Sequence, residues 1–219
     1  MTILITAGPT REAIDPVRYL SNRSSGKMGY ALAEAAAERG HRVILISGPT
    51  MLAVPDGIDY VPVETADDMY RAVGKWIGDC EIAIFAAAVA DYRMAEVAGQ
   101  KIKKKGETLT LELVRTPDIL ASARKDFSYQ GLLVGFAAET ENLENNARGK
   151  LERKGCDLVV ANDVSRRDIG FNSSENEVLL VFPDRSELLP MASKEHLGHV
   201  LVERIVAMAK PSCSSCSSC

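Results

Sequence analysis

The sequence predicts an α/β fold: a three-layer, α/β/α, Rossmann-like single domain around a mostly parallel sheet. Three observations lead there. Short apolar runs of strand length alternate with stretches of helical periodicity along the chain, as successive βαβ units do. The runs ILITA, RVILIS, EIAIFAA and LLVGFAA are apolar throughout rather than at every second residue, as strands covered on both faces must be. A chain of 219 residues with 46% hydrophobic content can bury one large core, and it carries neither an internal repeat nor an interdomain linker. The domain is expected over residues 1–209. The remaining 210–219, ending SCSSCSSC, reads as a disordered Ser/Cys tail, because Cys213, Cys216 and Cys219 lack a fourth cysteine or a nearby histidine to complete a metal site.

The elements follow in order. Ile3 to Thr6 open the sheet, and a helix with a small face (Ala31, Ala33, Ala35, Ala36) runs from Gly26 to Gly40. RVILIS then completes a right-handed βαβ unit. Thr65 and Asp68 have capping-box spacing before the helix MYRAVGKWI, and EIAIFAA reads as a central strand. TLTLELV alternates as an exposed or edge strand does. Thr116-Pro117-Asp118 reads as a helix start, with Thr116 as the capping hydroxyl, Pro117 at the first helical position and Asp118 near the positive dipole end. LLVGFAA, a helix from Glu141 to Lys154 closed by Gly155, the strands DLVVAN and NEVLLVF, a short ELLP strand and a helix opened by Ser193 and Glu195 complete the domain.

Charge and cysteine usage narrow the function. A net charge of −4 gives no attraction for nucleic acid or an anionic membrane. No run of about 18 apolar residues crosses a bilayer, and Met1 leads directly into strand residues, so a cytoplasmic protein is expected. Cys80 and Cys156 lie within predicted elements, where reduced thiols are expected.

Ligands of such sheets bind beyond the carboxyl ends of the strands. Between the first strand and its helix runs RYLSNRSSGKMG, Arg18 to Gly29, which places Ser24, Ser25 and Gly26 at a helix start beside Lys27. Free N–H groups and the dipole there suit a phosphate, and a well-capped helix on a long loop would look the same. The stretch is neither a Walker A loop nor GxGxxG. Asp91 closes AAAVAD just past a central strand, where a cleft must lie. Lys101 begins the run KIKKK, which is a solvated face unless a phosphate is near. On the helix from Glu141, Lys150 and Lys154 fall on the side of Leu143 and Ala147 and point inward, so they either meet an anionic ligand or snorkel along the body. No Ser/His/Asp or Cys/His arrangement suggests a protein nucleophile.

With GPTREAIDPVRYLSNRSSGKMG, AAAVADYR, KIKKK, TPDIL, GFAAETE, NARGKLERKGCD and ANDVS in order, the chain from about Ile3 to about Ala209 closely resembles bacterial phosphopantothenate–cysteine ligase. In many bacteria that enzyme is the C-terminal half of a bifunctional coenzyme A biosynthesis protein. The flavin-dependent decarboxylase half has no counterpart here, so the resemblance implies a separated or excised ligase domain. It further implies CTP-dependent ligation of 4'-phosphopantothenate and L-cysteine with Mg2+, through an acyl-cytidylate, in a homodimer whose active site lies near the interface. By motif match, Asn22 and Arg18 would hold the acyl and phosphopantothenate part, Ala87, Ala88 and Asp91 would line the shared cleft, and Lys101 would stabilise the α-phosphate. Asp91, Pro117, Asp118, Ile119, Leu120, Phe136, Lys150 and Lys154 fall on positions used for CTP. The metal ligands stay unassigned.

Two rival functions share part of the pattern. GKMGYALAEAAAERGHRVILIS looks superficially like the dinucleotide unit of an NAD(P)-dependent oxidoreductase, but Ser47-Gly48-Pro49 stands where an acid should end the second strand. A non-catalytic nucleotide-binding module is opposed by the retention of Asn22, Asp91 and Lys101.

Overall fold

A computed structural model describes residues 1–104, 106–165 and 175–209 of the chain. Lys105 and the Ser/Cys tail lie outside the described residues. In order come β1 (Thr2–Ala7), β2 (Arg11–Ala13), β3 (Tyr19–Ser21), α1 (Lys27–Glu38), β4 (Arg42–Ser47) and β5 (Asp59–Pro62). Next are α2 (Ala66–Trp76), β6 (Ile82–Phe85), β7 (Tyr92–Met94), β8 (Leu113–Arg115), α3 (Ile119–Lys125) and β9 (Leu132–Glu139). Last are α4 (Leu143–Lys154), β10 (Leu158–Asp163), β11 (Glu175–Val181), β12 (Ser186–Ser193) and α5 (Lys194–Ala209).

The main sheet has eight strands in the order β12-β11-β10-β9-β6-β1-β4-β5. Pairings from β10 through β5 are parallel, and β11 and β12 add an antiparallel edge. The apolar runs are buried on both faces because each strand feeds two cores with alternate residues. Ile3, Ile5, Val43, Leu45, Ile82 and Ile84 face α1 and α5. Leu4, Ile44, Ile46, Ala83 and Phe85 face α2, α3 and α4. These are the three layers expected.

Local chemistry sets the helix ends. Thr65 and Asp68 form the full capping box of α2, and Gly155 closes α4 at φ 65°. Ser193 Oγ accepts from the His196 N–H, 3.1 Å away, at the start of α5. The start of α3 differs from expectation: Asp118 is the cap, accepting from the Ala121 N–H at 3.1 Å, and Pro117 lies before the helix. Thr116 Oγ1 instead donates to the Ala90 carbonyl at 2.6 Å, so its hydroxyl ties two loops together.

TLTLELV also differs. Of it only Leu113 and Val114 lie in β8, which with Arg115 pairs against Tyr92–Met94 in a two-stranded ribbon outside the main sheet. Alternation without a neighbouring strand to supply hydrogen bonds does not make a longer strand. A second ribbon joins Arg11–Ala13 to Tyr19–Ser21.

Candidate active site

The site forms where β1 and β6 end side by side. Gly8 and Thr10 continue the pairing past the strands: the Ala88 N–H donates to the Gly8 carbonyl at 2.9 Å and the Thr10 N–H to the Ala88 carbonyl at 3.3 Å. Thr10 Oγ1 accepts from the Ala90 N–H at 2.9 Å, so two hydroxyls, those of Thr10 and Thr116, hold the AAAVAD segment from opposite sides. Asn22 Nδ2 donates to the Ala88 carbonyl at 2.9 Å. The carboxamide is thereby fixed on the cleft floor beside Ala87 and Ala88.

One wall is the start of α1. Gly26 is its N-cap at φ 78°, where a side chain is strained, and a Cβ there would stand 2.8 Å from Thr50 Cγ2. A glycine cap supplies no side-chain acceptor to the first turn. Gly29 brings the turn onto β1, since a Cβ there would lie 2.5 Å from Ala7 Cβ.

The opposite wall comes from the other face of the sheet. Lys150 Nζ donates to the Phe136 carbonyl at 2.6 Å, and Lys154 Nζ pairs with Asp118 Oδ2. Burial lowers the Lys150 pKa from its ordinary value. Burial alone would raise that of Asp118, but Lys154, the Ala121 N–H and Lys150 together outweigh it and hold the carboxyl below its usual range. Each ammonium has three donors and spends one on the protein contact named, so both can still address an anion. The inward reading of the two lysines therefore holds.

Between the walls lies a cleft of about 700 Å3, a size suited to a small-molecule ligand. Asn22, Ser24, Ser25, Gly26, Ala87, Ala88 and Asp91 line it, as do Pro117, Asp118, Ile119, Leu120, Phe136, Lys150 and Lys154.

This chain matches the DNA/pantothenate metabolism flavoprotein C-terminal domain family over residues 1–208. It belongs to that family. It is 50% identical over 206 residues to the coenzyme A biosynthesis bifunctional protein CoaBC of Vibrio vulnificus (strain YJ016), covering 93% of this chain and 51% of the relative. It is 48% identical over 210 residues to CoaBC of Bacillus subtilis (strain 168), covering 95% and 52%. The chain thus spans about half the length of the curated relatives it matches. The crystal structure of the C-terminal domain of a CoaBC protein superposes with a TM-score of 0.80 at 42% identity, covering 94% of each chain.

Two expected residues of the family site stand elsewhere. Arg18 and Lys101 are not among the described residues lining the cleft. Arg18 forms an ion pair with Asp15 at 2.6 Å, and Lys101 is exposed on the loop beyond β7. An arginine in an arginine-rich loop gives no sequence sign of whether it meets a ligand or a buried acid.

Other lining residues were not singled out from sequence: Thr6, Arg115, Asn162, Asn176 and Lys194. Lys194 is only 7% exposed, and burial, with a smaller effect of Lys27, lowers its pKa to about 8. One signal was available, because a lysine at the first helical position opposes the dipole. Among the described residues no group of three or more His, Cys, Asp or Glu side chains is placed to hold a metal.

Proposed function

We propose that this domain ligates 4'-phosphopantothenate to L-cysteine with CTP. The carboxylate attacks the CTP α-phosphate, forming an acyl-cytidylate as pyrophosphate leaves, and the cysteine amine then displaces CMP to give the amide. The observation that carries this reading is the pairing of two anion-binding walls across one cleft. The glycine-capped start of α1 faces it from one layer, and Lys150 and Lys154 from the other, with the Asn22 carboxamide fixed between them. Neither half-reaction needs a protein nucleophile; both need positioning and charge neutralisation.

In this scheme Lys150, Lys154 and the Pro117–Leu120 segment hold the nucleotide, the Ser24–Gly26 turn takes phosphate, and Asn22 orients the acyl group. Lys101 reaches the α-phosphate from its loop, within the chain or across a dimer. The described residues offer no all-protein cage for Mg2+. That arrangement fits an ion that arrives on the nucleotide phosphates, with Asp91 as the cleft carboxylate available to it. Bound there, Mg2+ would neutralise phosphate charge.

A homodimer is part of the proposal. Val17 and Tyr19 on the β2–β3 ribbon and Tyr92 and Leu113 on the β7–β8 ribbon expose apolar surface, and these two ribbons contact each other. Apolar surface concentrated in this way suits an interface between copies. The free, buried thiols of Cys80 and Cys156 support a cytoplasmic setting.

The test is to incubate the protein with phosphopantothenate, cysteine, CTP and Mg2+. Pyrophosphate and CMP should appear in equal amounts, and omission of cysteine should stop CMP release but not a single turnover of pyrophosphate. No pyrophosphate with all components present would overturn the assignment.

A further inference from the structure

Asp15 carries more bonds than a surface turn requires. Its side chain is wholly buried, and a carboxylate there costs stability unless it is paired and hydrogen-bonded. Oδ1 accepts from the N–H groups of Val17 and Arg18, each at 2.9 Å, which is the local turn expected of Asp in DPVR. Oδ2 accepts from Arg18 Nε at 3.1 Å and Nη2 at 2.6 Å. The Arg18 guanidinium, foremost among these donors, holds the carboxyl far below its usual range, so it stays ionised.

One further bond lies outside the turn. The Ile102 N–H donates to Asp15 Oδ2 at 3.0 Å, across 87 residues of sequence. Arg18 Nη2 meanwhile donates to the Ile102 carbonyl at 3.2 Å. Both backbone groups of Ile102 are thus gripped by the two members of one ion pair. The same segment has a second tie, from the Ala98 N–H to the Ile14 carbonyl at 3.1 Å. Between β7 and β8 the described residues form neither helix nor strand, so internal hydrogen-bond ladders do not shape this loop. Lys101 immediately precedes the gripped residue.

We propose that the Asp15–Arg18 ion pair is a positioning clamp that sets where the lysine loop, and Lys101 with it, stands relative to the cleft. The role of Lys101 in chemistry rests on the ligase reading; the clamp itself does not. The bonds among Asp15, Val17 and Arg18 would satisfy a turn that served only the β2–β3 ribbon, and the two bonds to Ile102 are additional to it.

Amide hydrogen exchange on the unaltered protein reads the clamp directly. The Ile102 amide should exchange about tenfold or more slowly than those of Lys103 and Lys104 in the same coil, the difference between a held and an open amide. Comparable rates at all three would overturn the clamp. In Asp15→Asn and in Arg18→Met, two variants that break it from opposite sides, that protection should fall. Cleavage by a lysine-specific protease after Lys101, Lys103 and Lys104 should accelerate by about tenfold at a temperature where the variants remain folded. Unchanged cleavage in whichever variant folds would also overturn it. Lys101→Gln separates the two ideas: it should keep Ile102 protected while losing acyl-cytidylate formation. Full activity in Lys101→Gln would remove the proposed chemistry of the lysine yet leave the clamp standing.

Discussion

Lys150 and Lys154 differ from Lys101 in what holds them. The first two sit one turn apart on α4, whose rotation is fixed by the buried Ala147 and Leu151. Their ammonium groups already meet the Phe136 carbonyl and Asp118. Lys101 is exposed on a loop tied down at the next residue. A charge that binds ground-state phosphate gains from a rigid helix, because no ordering cost remains when the ligand arrives. A charge needed only as the α-phosphate reacts can come from a long lysine stem on an anchored loop, whose backbone is held while the side chain keeps its reach.

The sharpest way to break this contrast is Lys101→Gln. Acyl-cytidylate formation, read as pyrophosphate release in a single turnover, should fall by about 100-fold or more, the scale of a lost transition-state charge contact. CTP affinity should change little. The reverse pattern, weak CTP binding with normal release, would make Lys101 another binding charge and erase the distinction.

Lys150→Met and Lys154→Met test the other side. Each should weaken CTP binding by roughly 1–3 kcal/mol, the range for a lost charge-assisted hydrogen bond. Lys150→Met should melt no lower than wild type without ligand, because burial already penalises that charge. Titration calorimetry and ligand-free melting on the same samples measure both quantities. Unchanged CTP affinity in the double variant would return these lysines to a structural role.

Asn22→Ala should give a smaller and more selective loss. The carboxamide is held by the Ala88 carbonyl, and it can orient an acyl group through its remaining donor and acceptor. Cysteine attack should therefore suffer more than cytidylate formation. Equal loss in separately measured half-reactions would contradict the role.

The same contrast explains what could be read from sequence. The α4 lysines were legible because helical periodicity fixes direction from spacing: Lys150 and Lys154 had to share a side with Leu143 and Ala147. The parallel core was legible because strands covered on both faces are apolar throughout. The Asp15–Ile102 contact was not, since nothing local encodes a bond across 87 residues. Thr116 misled for a related reason. A hydroxyl before Pro-Asp has capping chemistry, but Asp118 caps the helix and Thr116 serves the cleft floor. Lys194 was legible only as a violation, a cation at a helix start, and such violations mark places where function and propensity disagree.

That violation gives an effect on stability alone and tests whether helix-borne charge is always favourable to the fold. Lys194 lies 7% exposed in the cleft wall at the start of α5, and burial, then Lys27, lowers its pKa from 10.5 to about 8. Below pH 8 the lysine is protonated in folded and unfolded chains alike, and folding bears the full penalty of the charge. Between about pH 8 and the ordinary value of 10.5 the unfolded chain binds more protons than the folded one, so this residue's contribution to stability rises with pH. Lys194→Met lacks that titration. Its stability relative to wild type should therefore be highest near pH 7 and decline steadily as pH rises towards 10, as measured by urea melts at several pH values. Parallel profiles for the two proteins would show that Lys194 keeps an ordinary pKa in the fold and that its burial carries no electrostatic cost.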